Sequence, residues 1–105
     1  MRFEFIESSI FTAYLADLLG DDEYAELQAF LCERPEAGDI VRGSGGVRKL
    51  RWARQGTGKS GGVRVCYYLK TQDGKIWMLT IYPKSERDSI PGHVLKTLKE
   101  ELDRA

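Results

Sequence analysis

Four cations stand where a phosphate group could be held. Lys49 and Arg51 are two residues apart in Lys49-Leu50-Arg51-Trp52, so on an extended chain they project to the same side. Arg64 opens the next apolar segment and Lys84 follows the one after it. If those three segments are neighbouring strands, all four cations converge near one end of a sheet. Converging Lys and Arg stabilise extra negative charge on phosphorus, and an arginine fork spans two oxygens at once. Tyr82, Ser85, Glu86 and His93 are the nearby groups able to take or give a proton. Strand faces in water also carry Lys and Arg without function, and the alternation alone is compatible with that. The absence of acids favours a groove for phosphate. Residues 40–72 hold eight basic side chains and no acidic one, whereas residues 1–39 hold ten acidic and two basic, and 73–105 hold six of each. A formal net charge of zero thus conceals a basic middle and an acidic front. An acid-free cationic stretch of this length suits the docking of a polyanion.

The elements that must position these groups are readable from periodicity. Arg2 to Ile6 predicts a short strand with Phe3 and Phe5 on one face. Ser8 or Ser9 can N-cap a helix carrying Ile10, Phe11, Tyr14, Leu15, Leu18 and Leu19 on one stripe, with Gly20 ending it in the left-handed conformation. Asp21 to Glu23 suits the start of a second helix, whose Tyr24, Leu27 and Leu31 follow at helical spacing and which stops before Pro35. From Gly46 the period changes to that of strands. Leu50 and Trp52 alternate with basic positions, Val63 to Lys70 is a second strand, and Lys75 to Tyr82 a third, with Asp73-Gly74 as a tight hairpin turn. The last two are apolar on both faces and so belong at the centre of the sheet. Pro91 to Arg104 is helical, with Val94, Leu95, Leu98 and Leu102 as its stripe. The expected fold is α+β, in the order β-α-α-β-β-β-α, with a mostly antiparallel sheet and the helical hairpin on one face.

At 105 residues the chain is a single domain, 1–105. It has no apolar run near the roughly 20 residues that cross a bilayer, and acids interrupt its first residues where a secretory leader would be apolar. It reads as cytoplasmic, with no membrane partner. Cys32 and Cys66 lack metal-ligand spacing and read as reduced thiols, and no cofactor or metal is implied. Trp52 and Trp77 read as core rather than as platforms for bases, and of Tyr67 and Tyr68, on alternate faces, at most one can look toward a groove. Ala53 to Ser60 satisfies a relaxed phosphate-loop pattern. A strand rather than a helix follows it, so it does not make a nucleotide hydrolase, although Lys59 and the loop amides remain able to meet a phosphate.

Three stretches resemble the RelE/HigB superfamily of toxins from bacterial type II toxin–antitoxin systems, most closely its HigB-like branch. They are Gly45 to Arg51, Gly56 to Tyr68, and Leu79 to Glu86, supported by Phe5 to Ser8 and the Tyr24 helix. The resemblance implies a RelE-like fold and a ribosome-dependent, metal-independent messenger-RNA endonuclease that inhibits translation. Cutting would proceed by attack of a ribose 2′-hydroxyl on the adjacent phosphate. That needs a base for the 2′ proton, cations for the phosphorane and an acid for the leaving oxygen.

Carried over by position, Arg64 matches the strand arginine used on the transition-state phosphate, and Lys49 the first of a lysine pair. Arg51 stands where the second lysine is expected. Arginine steadies charge but, with a pKa above about 12, is a poor proton donor, which leaves Lys59 or Lys84 for general-acid work. Lys84 and Glu86 fall in a functional segment of the family. The family's C-terminal tyrosine or histidine has no match in register. His93, after Pro91-Gly92, reads first as a solvated first-turn residue and secondly as a catalytic acid or base. Arg48, Arg54 and Lys59, with Arg64, complete the expected phosphate contacts. The implied partners are the ribosome and its message, a cognate antitoxin of helix-turn-helix type, and operator DNA through that antitoxin only. The departures at Arg51 and the missing tyrosine keep a second reading open: a catalytically silent RNA- or partner-binding module on the same scaffold.

Overall fold

The computed structural model describes residues 2–53, 62–86 and 89–104. Its elements are β1 (Glu4–Glu7), α1 (Ser9–Leu18), α2 (Asp21–Glu33), β2 (Asp39–Ile40), β3 (Arg48–Trp52), β4 (Val63–Lys70), a 3₁₀ turn (Thr71–Asp73), β5 (Lys75–Pro83) and α3 (Gly92–Arg104). The five strands form one sheet in the order β1-β5-β4-β3-β2. Only β1 against β5 is parallel. The expected α+β fold holds, with β4 and β5 internal. One strand is additional: β2, which pairs with β3 over two residues and is too short to show a period.

Strand alternation sends apolar side chains to both faces, and helices cover both. On one face Phe11, Leu27 and Leu31 of the helical hairpin pack with Leu50, Val63, Val65 and Ile81. On the other, Leu95 of α3 packs with Val47, Cys66, Trp77, Leu79 and Tyr82. Trp77 is buried in the core, 5.6 Å from the Tyr68 ring, whereas Trp52 is half-buried and packs against the core with its ring 5.3 Å from Phe30.

Ser8 joins α1 to the sheet. Its Oγ accepts from the Phe11 N–H at 3.0 Å and donates to the Leu79 carbonyl at 2.7 Å. β1 therefore leaves β5 after Met78, and the rest of β5 runs on without it. Two turn expectations need correction. Gly20 does not end α1 in a left-handed conformation; with φ −74° it N-caps α2, and Leu19 closes α1 in extended backbone. The cause is Glu23, whose carboxylate accepts the Gly20 N–H at 3.0 Å. The β4–β5 connection is not a two-residue turn but a 3₁₀ turn, in which only Gly74 has positive φ, 64°.

The segment between α2 and β2 is held by two β-strand side chains. The Tyr67 hydroxyl donates to the Pro35 carbonyl at 2.7 Å and accepts from the Gly38 N–H at 2.9 Å. Arg48 donates to the carbonyls of Gly38 at 2.8 Å and Glu36 at 3.2 Å. Tyr67→Phe leaves the Gly38 N–H buried without its acceptor. We expect a loss of about 1–3 kcal/mol in urea unfolding with the fold intact; an unchanged midpoint would show that water replaces the hydroxyl there. On the other face, α3 is fastened by Lys99, which donates to the Gly45 carbonyl at 2.9 Å and sits 4.6 Å from the Tyr68 ring, and by Lys70, 3.4 Å from Asp103. Among the described residues, no helix is long and apolar enough to cross a membrane.

Candidate functional site

The register of three adjacent strands lines up the chemically capable residues. Arg51 of β3 is opposite Arg64 of β4, which is opposite Tyr82 of β5. One step along the same face, Lys49 is opposite Cys66, which is opposite Thr80. Beyond the end of β5, the Lys84 N–H donates to the Gly62 carbonyl at 3.1 Å, so Lys84 sits beside the start of β4, at the Arg64 end of the sheet. Three neighbouring strands thus bring Lys49, Arg51, Arg64 and Lys84 to one region.

Arg51 and Arg64 directly opposite one another are an electrostatic liability, since like charges in that relation destabilise an antiparallel pair. A bound anion between them would relieve it. Arg51 is exposed and Lys49 half-buried, whereas Arg64 is only 9% exposed, with its Nη1 3.5 Å from the Val63 carbonyl. The guanidinium is therefore largely positioned before any ligand arrives.

The other expected site residues fall differently. Arg48 is not brought to the cationic region: one step out of phase with Lys49, it lies on the opposite face and is committed to the Glu36 and Gly38 carbonyls. Arg54 and Lys59, with most of the glycine loop, lie outside the described residues. The segment after that loop is strand β4, as expected, and not the helix a nucleotide-binding loop requires. Glu86 is exposed in the turn after β5, where its N–H meets the Pro83 carbonyl at 3.1 Å, and its side chain lines a groove between α1 and α3. His93 is exposed in the first turn of α3, and its carbonyl accepts the Thr97 hydroxyl at 3.0 Å.

Two further residues of the region are Tyr82, named from the sequence as a group able to exchange a proton, and Cys66, read there only as a reduced thiol. Tyr82, 5% exposed, ends the arginine row, and Cys66 is fully buried beside it. Alternation puts Tyr82 on a definite side of β5, but only pairing register makes it the neighbour of Arg64. Burial pushes the Cys66 thiol from 9.0 up to about 12, with Lys49 and a hydrogen bond from Tyr82 pulling the other way. The folded chain therefore holds this proton more tightly than the unfolded chain. Its contribution to stability is complete below about pH 9 and declines as pH rises toward 12. We expect iodoacetamide, at a pH near the ordinary thiol value of about 8.5, to modify the half-buried Cys32 first and Cys66 only on unfolding. Equal rates in the native protein would contradict this placement. Among the described residues, no three of His, Cys, Asp and Glu gather as a metal-binding group.

No protein-family model matches the chain. Among solved structures, the fold is similar to that of the Escherichia coli toxin RelE in its free state, a variant with two arginines changed to alanine. The TM-score is 0.59 at 15% identity, covering 99% of this chain and 98% of that one. At that identity the likeness establishes a RelE-like fold.

Proposed function

We propose that the chain is the toxin of a toxin–antitoxin pair, of the HigB-like branch, and that it cuts messenger RNA in the ribosome without a metal ion. The observation that carries this reading is the Arg51–Arg64 pair, flanked by Lys49 and Lys84 on three adjacent strands of a RelE-like fold. The 2′-hydroxyl gives its proton to a general base and its oxygen attacks phosphorus, the 5′-oxygen leaves with a proton from a general acid, and a cyclic phosphate remains on the upstream fragment. Arg64, preset by burial, and exposed Arg51 hold the oxygens on which charge accumulates. A guanidinium is by nature a poor general acid, so protonation of the leaving oxygen falls to Lys84, or to Lys59 of the glycine loop. The acidic front turns away from ribosomal RNA. A cognate antitoxin of helix-turn-helix type holds the toxin inactive in the cytoplasm and carries any contact with operator DNA.

A silent binding module is the second reading, favoured by one observation: Arg64 is 9% exposed, so it presents little surface to a substrate. Primer extension on messages from cells expressing the chain, with Lys49→Ala, Arg64→Ala, Lys84→Ala and His93→Ala in parallel, separates the two. The enzyme stops growth and leaves new message ends that vanish with Arg64→Ala. If translating cells tolerate wild type and Arg64→Ala equally, with no new ends, the silent module is correct.

A further inference from the structure

Four large apolar side chains are exposed among the described residues, and three of them, Ile10, Tyr14 and Val94, meet in one groove. The groove encloses about 450 Å³ between α1 and α3, over the part of β5 that β1 has left. Clustering of exposed apolar side chains marks a docking surface where scattered ones would not. Each wall presents its side chains at helical spacing, Ile10 and Tyr14 from α1, Val94 and Leu98 from α3. The charged residues at its margin, Asp17 and Glu86, are both acidic, opposite in sign to the arginine row that ends at Tyr82. Nucleic acid is disfavoured here by charge.

We propose that this groove receives an amphipathic helix of a partner protein, with apolar residues at i, i+4 and i+7 seated between α1 and α3. Lys or Arg on its flanks would meet Asp17 and Glu86. Side chains at helical spacing on both walls make a seat for a third ridge, and the helix-in-groove mode uses this spacing of anchors. The groove adjoins the cationic rows, since Thr80 and Tyr82 line it, but the inference rests on its apolar walls and acidic margin and does not depend on the nuclease reading.

The test uses a fluorescein-labelled synthetic helix of about 16 residues, long enough to be helical when bound, with Leu at the anchor positions and Lys on the flanks. A Glu-flanked peptide and a scrambled peptide serve as comparisons. We expect saturable binding of the Lys-flanked peptide alone, weakened about tenfold or more by Tyr14→Asp and by Val94→Asp. Asp17→Lys should shift preference toward the Glu-flanked peptide. Both aspartate variants change exposed positions, and thermal melts verify that they fold. The proposal is overturned if no peptide binds, if the scrambled or Glu-flanked peptide binds as well, or if the aspartate variants bind unchanged. It is also overturned if sedimentation shows a dimer that Val94→Asp dissolves, which would assign the groove to a second copy. Peptide binding by a chain that cuts no message would remove the nuclease reading and leave this inference standing.

Discussion

Arg64→Ala is expected to lower message cutting about 10²–10³-fold, the usual loss when a preorganised donor to a transition-state oxyanion is removed. Arg64→Lys should recover only part of that, since an ammonium replaces two forked donors with one point charge. The same change should leave the fold nearly as stable as before. Arg64 is opposite Arg51 in the ladder, so its removal relieves like-charge repulsion, which offsets packing lost from its buried stem. Activity and stability therefore move independently, and this distinguishes a role in binding phosphate from a role in holding the sheet. A short RNA analogue unable to be cut should raise the melting temperature of wild type and not that of Arg64→Ala, because only a chain that binds the ligand in its folded form is stabilised. A variant that loses cutting and also melts many degrees lower would assign Arg64 to the core instead.

Gly92→Ala should cost about 1–3 kcal/mol in urea unfolding, toward the upper end. A Cβ at Gly92 would overlap the Arg42 carbonyl oxygen and lie 3.0 Å from the Gly43 carbonyl carbon. These are backbone atoms and cannot rotate aside as a side chain could. Either the β2–β3 connection moves or the first turn of α3 lifts, and Leu95, 1% exposed, loses part of its packing. Gly43→Ala is the comparison. Its φ is 78° and nothing lies within 4 Å of the added methyl, so it costs only the left-handed backbone term of about 1–2 kcal/mol. Because Val94 follows on the same turn, Gly92→Ala should also weaken peptide binding in the groove. Wild-type stability and wild-type binding together would mean that α3 is not seated on Arg42.

Much of this architecture follows from local pattern. Helix stripes, strand alternation and the acidic hairpin are properties of neighbouring residues, and they determined the fold class, the internal place of β4 and β5, and the shared side of Lys49 and Arg51. Alternation also places Arg48 opposite Lys49, so its absence from the cationic region was legible without coordinates. The contrast at Gly20 and Gly92 is of another kind. Both are glycines at helix starts, yet one serves a carboxylate three residues on and the other a carbonyl far back in the chain.

What only the tertiary structure decided is register and proximity. Arg51 beside Arg64 beside Tyr82, Cys66 between Lys49 and Thr80, and Glu86 in a groove with Tyr14 all join residues from separate elements. A strand's sequence states which side chains share a face, but a shift of two residues along its partner would preserve every face and change every neighbour. The hydrophobic packing of both helical layers selects one of those alignments, and the site exists only in that alignment.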